Sequence, residues 1–352
     1  MVANRPVQRG TITDLINGLL DKGYTRAAQP VLDAVARSVN SGLIQQRLNE
    51  LDAEAARLME AGEKLRPDNP VLRALLADLE DTLKADARVM DGAAEAVQST
   101  GSDAAGKIQR QLALPGMTDT QLGRIGITWN RPDPAAVARL VDYTGSDAWG
   151  ALLGKYGDDV WGIVNNQAVL GIVSGWSPLR TAREIRRVTE NLPAHQANNL
   201  MRTLQLTSYR DSTAIHQNAN LPIISQVVRI AALDSRTCLS CISQHGDVIW
   251  EGERNAGDPV PRVDDHHSGR CTSVVVVKGR SINIQSGEEW FANLPEARQR
   301  QQASFVASPG KFAAYQNGEV TLRDFRQPYT DPTFGPMMRE ASLSGALQNA
   351  AA

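Results

Sequence analysis

The chain has 352 residues, enough for two or three domains. Its 37 Lys and Arg against 39 Asp and Glu leave a net charge of −2, which argues against a protein whose whole body coats nucleic acid. With 42% hydrophobic and 22% charged residues, the composition is that of a soluble globular protein and excludes global disorder.

Residues 1–40 read as a flexible arm followed by two short helices. Leu15, Ile16, Leu19 and Leu20, then Val31, Leu32, Val35 and Val39, recur at helical spacing. In residues 41–98, Leu48, Leu51 and Leu58 precede a restart at Asn69-Pro70, an N-cap and a first-turn proline. Leu72, Leu75, Leu79 and Leu83 then mark one face. Nine basic and thirteen acidic side chains make residues 41–110 acidic, and residues 1–98 together read as a helical arm. Residues 99–134 read as a linker, punctuated by Gly101, Pro115, Gly116, Gly123, Gly126, Pro132 and Pro134. The spacing Gly101-x4-Gly106-Lys107 fits a phosphate loop, but Ile108 stands where a Mg2+-binding Ser or Thr is needed and no strand precedes it. It is therefore read as part of the linker.

Residues 135–220 turn helical again. Ser177-Pro178 opens one helix, with Leu179, Ala182, Ile185 and Val188 behind it, and a second starts near Pro193. Arg180, Arg183 and Arg187 share a face of the first. Residues 160–237 carry eight Arg against four acidic residues, either a solvated face or a contact for DNA phosphates or an acidic protein surface. From about Leu221 the pattern becomes β: Val227–Ala232, Val248–Trp250 and Thr272–Val277 read as strands of a small α+β domain over 221–280. Residues 281–352 read as one short helix near Pro295–Phe305 and an extended C-terminal tail. Eight of the seventeen aromatics lie in residues 290–334. They are expected either to wrap the chain's own Cys/His domain or to dock on a partner through Trp290, Phe291, Phe325 and Phe334. Apolar runs such as Ala168–Val173 are too short for a membrane span, and the N-terminus has no signal-like apolar run. The expected fold class is α+β, with a mainly helical N-terminal half.

The three Cys fall in one 34-residue window, and an odd count there is not a secreted disulfide framework, so a reducing cytoplasm is expected. Cys238-x2-Cys241, followed after 24 residues by His266-x4-Cys271, supplies the thiolates and imidazole that a closed structural Zn2+ site prefers. Structural zinc contributes roughly 10–16 kcal/mol of apparent binding free energy to folding. His267 is an alternative ligand to His266, and His245 a weaker one. The competing readings are buried cysteines acting as small hydrophobes, and a redox pair, which lacks the βαβ context it needs. Asp264-Asp265-His266-His267 also invites an HNH-type nuclease, but that mechanism needs a later metal-binding His and none follows His267. No catalytic set is assigned.

Taken together, Asn199-Leu-Met-Arg202-Thr203, Asp234-x-Arg236-Thr237-Cys238-x2-Cys241, Gly246 and His266-x3-Arg270-Cys271 resemble the phage head morphogenesis family, the Mu F-like minor head proteins of tailed bacteriophages. The resemblance covers residues 160–280. The family's His, Arg and last Cys match His266, Arg270 and Cys271, while its Pro after the His is His267 and its middle Cys is Gly269. The resemblance implies a portal-associated minor capsid protein in the virion, made in the host cytoplasm. It further implies a structural role in head assembly and in DNA packaging or ejection, without enzymatic activity. The implied partners are the portal protein, other head proteins and packaged DNA, with copies around a symmetric ring and no membrane. The alternative is a zinc-containing DNA-binding or nuclease-like protein acting in packaging or delivery.

Overall fold

Asn69 Oδ1 accepts hydrogen bonds from the amides of Val71 and Leu72, and Pro70 needs no donor of its own, so a helix starts where the sequence places it. In this computed structural model, which describes residues 9–113, 129–281 and 283–352, that helix is α3 (Pro70–Ala113). It follows α1 (Arg9–Val39) and α2 (Gly42–Glu60) and precedes α4 (Pro134–Leu140), α5 (Asp147–Val173) and α6 (Pro178–Asn218). The other elements among the described residues are an antiparallel sheet, a hairpin and short helices, so the class is α+β.

The chain divides into two compact units. One comprises Tyr24–Val97 and Tyr143–Leu204 and is all helical. Its apolar stripes are buried as their spacing demands: Val31 and Val35 on α1, Ile44, Leu48 and Leu51 on α2, Leu72, Leu75, Leu79 and Leu83 on α3. Polar ties fix the register of the bundle. Arg186 reaches Asp52 with Nε and Nη2 at 3.0 and 2.6 Å, and Trp149 Nε1 donates to Asp91 at 3.0 Å. Residues 24–97 of the region read as a helical arm thus share a unit with residues 143–204.

The other unit takes the residues through Gly23, Gln98–Asp142 and Gln205–Ala352. Its sheet has the order β2-β1-β3, with β1 (Ile224–Ile230) between β2 (Val248–Glu251) and β3 (Thr272–Val277). β1 pairs with β3 in the register Val227↔Val275 and Val228↔Val274. All six residues of β3 are buried, and its Val274–Val277 stretch accordingly reads as a continuous apolar run. One face packs Val227, Val275 and Val277 on Trp250 and Val260, and the other packs Val228, Val274 and Val276 together. A buried polar seam crosses this unit: Thr272 Oγ1 donates to the Tyr209 hydroxyl at 3.1 Å, and Gln217 Nε2 donates to Ser273 Oγ at 2.9 Å.

Four expectations are corrected here. The N-terminal segment forms one long helix with Pro30 inside it, and Pro193 lies inside α6 instead of opening a new helix. Residues 99–113 are not linker but the end of α3. Gly101 sits there because a Cβ would lie 2.2 Å from the Gln205 carbonyl oxygen, so glycine marks a close backbone approach and not a break. Pro115, Gly116, Gly123 and Gly126 lie outside the described residues. The tail is not extended. It folds into α8 (Gly287–Ala292), α9 (Glu296–Arg300), α10 (Ala303–Ala307), α11 (Pro309–Gln316), a hairpin of β4 (Arg326–Asp331) and β5 (Gly335–Glu340), and α12 (Leu343–Ala350). Phe291, Phe305, Phe312 and Phe325 build a core with Leu239 and Ile242 of α7 (Leu239–Ser243). Phe305 and Phe312 meet edge to face at 5.0 Å. Phe291, Phe325 and Phe334 are thus buried within their own unit instead of displayed for docking, and Trp290 is half-buried against the core that holds Phe291 and Phe325.

Candidate metal centre

The site is assembled from three pieces of backbone. Cys238 caps α7, its Sγ accepting from the Cys241 amide at 3.3 Å, so the first turn of that short helix presents both sulfurs to one point. Cys271 immediately precedes β3, and His266 lies in the loop that returns to it. Across this chain separation the Sγ atoms of Cys238 and Cys241 and a ring nitrogen of His266 lie within 4.8 Å of one another. Cys241, Cys271 and a carboxylate oxygen of Asp265 do likewise, so Cys241 belongs to both groups. A cavity of about 220 Å3 opens on Cys238, Cys241, His266 and Cys271.

The choice of histidine follows from hydrogen bonding. His266 Nδ1 is 2.8 Å from the His267 carbonyl oxygen, which can only accept. Nδ1 therefore carries the proton, and Nε2 is the nitrogen that offers a lone pair when the ring is neutral. His267 turns the other way: its Nε2 meets Asp331 at 3.2 Å and its ring meets Phe334 edge-on at 6.0 Å. His245 accepts from the Ala231 amide through Nδ1 at 2.9 Å and does not join the sulfurs. Of the three histidines, only His266 is brought to the thiols.

Asp265 is the residue that sequence reading did not single out at this site. Its side chain is fully buried. Oδ1 accepts from Cys241 Sγ at 3.1 Å and from the His266 amide at 2.9 Å, and Oδ2 accepts from the Cys271 amide at 2.9 Å and Arg210 at 3.3 Å. Burial alone would raise its pKa, yet His266, Arg210, Arg229 and the Cys271 amide hold the carboxyl well below the usual range. A Cβ at residue 269 would fall 2.2 Å from that carboxylate, so only glycine fits opposite Asp265. The signal available in the sequence was the pairing of Asp265 with Gly269, at the position where the resembled family carries a cysteine.

Cys241 and Cys271 are buried, and Cys238 is half-buried. Hydrogen bonding to Cys238, together with burial, pushes the Cys241 thiol well above its ordinary pKa, and Cys241 with burial does the same to Cys271. Arg229 on β1 is 4% exposed and donates Nη1 to the Asp264 carbonyl oxygen. Its Nε and Nη2 are buried without an oxygen partner among the described residues, and the guanidinium faces the Cys271 sulfur. Asp234 accepts from the Arg236 amide at 2.9 Å and Thr237 Oγ1 at 3.0 Å, shaping the loop that enters Cys238. Glu340 of β5 accepts from the Leu239 amide at 2.8 Å, tying the hairpin to the start of α7.

Arg180, Arg183 and Arg187 are exposed on α6 in the all-helical unit. Arg180 lies over the Trp176 ring at 4.0 Å, and Arg187 pairs with Glu184 at 2.9 Å. No helix among the described residues is long and apolar enough to cross a membrane. Comparison with family models, with curated proteins and with solved structures found no match.

Proposed function

We propose that the chain is a minor head protein of a tailed phage, placed at the portal vertex in copies around the ring, in which Zn2+ staples the Cys/His region. The observation that carries this reading is the convergence of the motif residues. Asp234 and Thr237 shape the turn into Cys238 and Cys241, Arg270 closes on Asp234, and His266 and Cys271 come in beside the same thiols. A pattern spread over residues 234–271 therefore acts as one local structure, as a folding module would require. Its role on this reading is structural, in head assembly and in the passage of DNA, and not catalytic.

The residues present fit a divalent metal on charge as well as on donor type. Two guanidiniums, Arg210 and Arg229, are buried beside one carboxylate, Asp265, an excess of one positive charge. A divalent ion with three thiolates carries one negative charge and would neutralise that excess, giving the buried Nε and Nη2 of Arg229 an anionic neighbour. Cys238, Cys241, His266 and Cys271 would hold the ion, with Zn2+ favoured by the sulfur-rich set. Bound there, it supplies a closed crosslink between α7, the His266 loop and β3.

The deciding experiment is mass spectrometry and labelling of purified virions with an antibody to this chain. The expected result is a few copies per particle, located at one vertex. Absence from particles, or Mg2+- or Mn2+-dependent DNA cleavage by the purified protein that His266→Ala abolishes, overturns the reading.

A further inference from the structure

In the all-helical unit, the stretch from Val160 to Leu179 carries no charged side chain, although it covers the outward face of α5 and the turn into α6. Along that face Ile163, Val169, Leu170 and Val173, with Leu179 at the start of α6, are 37–79% exposed. The opposite side of α5 is already buried through Val160, Val164 and Ala168, so the exposed five are not misplaced core residues. Single exposed apolar side chains need no explanation, but a contiguous, charge-free strip of them marks a contact surface.

The strip is complementary to itself. Asn166 lies at its middle, exposed and without a hydrogen bond among the described residues. If two α5 helices run antiparallel with their Asn166 residues opposite each other, Ile163 of each meets Val169 of the other, and Gly162 of each meets Leu170. A Cβ on Gly162 would find nothing within 4 Å, so the glycine leaves an open slot where Leu170 of the other copy arrives. Two carboxamides on the axis can each donate and accept, the device by which a central Asn sets the register of paired helices.

Charge selects the same direction. Antiparallel pairing brings Asp158 level with Ser174, at the turn that leads into Arg180. The α5 end of the strip bears Lys155, Asp158 and Asp159, a net charge of −1, and the α6 end bears Arg180 and Arg183, a net charge of +2. Opposite signs therefore meet at both ends, whereas parallel pairing would set like signs together. These groups also have neighbours within the chain: Lys155 for Asp159 at 3.0 Å, Lys84 for Asp158 and the Trp176 ring for Arg180. The charges accordingly orient the contact, and burial of the apolar strip drives it.

We propose that two copies of this chain associate through this face, α5 against α5, antiparallel about a two-fold axis at Asn166. Such a contact closes at two copies, so it is separate from the contacts that would place copies around a ring. The proposal rests neither on the metal nor on a place in the virion. One helix pair is a small interface, so the free protein is expected to exchange between monomer and dimer with concentration.

Sedimentation velocity of the full-length chain over about a hundredfold range of concentration tests this, with circular dichroism to show that each variant is folded. Wild type is expected to shift from monomer to dimer. Leu170→Asp, at an exposed position, is expected to weaken the dimer about tenfold or more. Gly162→Leu is the sharper variant, because it favours the helix in the monomer yet fills the slot for Leu170. It is expected to weaken pairing, whereas a non-specific apolar contact would gain from it. Asp158→Lys and Arg180→Glu are each expected to weaken the dimer about threefold, and the double variant to recover it, since each copy then carries both reversed charges. Monomer at every concentration overturns the proposal, as does a dimer indifferent to Leu170→Asp, strengthened by Gly162→Leu, or not restored in the double variant. Monomer that instead binds phosphatidylglycerol vesicles, and loses that binding with Leu170→Asp, also overturns it and assigns the face to a lipid surface.

Discussion

Asp234 and Arg270 are joined by two hydrogen bonds of 2.7 Å, one from each Nη to each carboxylate oxygen. The pair closes the loop before Cys238 onto the residue before Cys271, so it holds the two sulfur-bearing segments in register whether or not a metal is present. A fork-to-carboxylate geometry of this kind is specific to arginine, and Arg270→Lys is not a conservative change here.

The same pair sets an acid dependence. Hydrogen bonding by Arg270 outweighs burial and holds the Asp234 carboxyl well below the usual carboxylate range. Its folded pKa thus lies below the unfolded value of about 3.9, so the stabilisation is fully present above that value and is lost as pH falls towards the folded pKa. With Asp234 partly exposed, Asp234→Asn is expected to cost about 1 kcal/mol near neutral pH, and the gap to wild type to narrow below about pH 3. Urea unfolding at the two pH values measures this. A gap that does not narrow in acid would show that the charge on Asp234 is not what stabilises the loop.

The two adjacent histidines give a sharper test of the metal centre. His266→Ala and Cys241→Ser are expected to reduce zinc from about one equivalent per chain to less than about half. His267→Ala is expected to retain it, because that ring faces Asp331 and Phe334. Elemental analysis after gel filtration distinguishes the outcomes. Equal loss in His266→Ala and His267→Ala would contradict the assignment of His266 as the ligand.

The aromatic C-terminal segment should behave as core. Phe291 is fully buried and touches Phe305 and Tyr315 edge to face at 5.9 and 5.6 Å. Phe291→Ala is expected to destabilise by about 3–5 kcal/mol, and Trp290→Ala, only half-buried, by distinctly less. Denaturant midpoints compare them. If the two variants match wild type, the segment is not part of the fold that contains α7.

What could be read from the sequence was local chemistry with a fixed geometric meaning. Asn69-Pro70 starts a helix because its side chain and ring act within one turn, and Thr272–Val277 is a strand because the β-branched run Val274–Val277 suits a doubly buried position. The Cys/His set was legible because thiols and imidazole at that spacing have few alternatives. Two of the misreadings concern residues whose meaning depends on a distant neighbour. Gly101 looks like a break until the Gln205 backbone is beside it, and four of the five Phe look unplaced until Leu239 and Ile242 supply the other half of their core. Asp265 carries no label of its own, since its role exists only through Arg210, Cys241 and the Cys271 amide.

In the all-helical unit, burial of Asp86 sets a second pH dependence of opposite sign. The residue is 3% exposed, and burial pushes its carboxyl up to about 6. Ser38 Oγ lies 2.8 Å from the Val35 carbonyl oxygen and 2.9 Å from Asp86 Oδ2. To the carboxylate Ser38 Oγ donates, which lowers the pKa by less than burial raises it; when the acid is protonated it can donate to Oγ instead, with the Ser38 proton on the Val35 carbonyl. Between the unfolded value of about 3.9 and the folded one, the native state binds more protons than the unfolded state, so stability falls as pH rises through this window. Above it the full cost applies, about 2–3 kcal/mol at 1.36 kcal/mol per pH unit. Asparagine reproduces the protonated acid, with an amide donor for Ser38 and no charge. Asp86→Asn is therefore expected to match wild type near pH 4 and to exceed it by about 2–3 kcal/mol near pH 7. Urea unfolding across this range checks it, and a stability difference that stays flat with pH would mean that Asp86 is accommodated as the carboxylate.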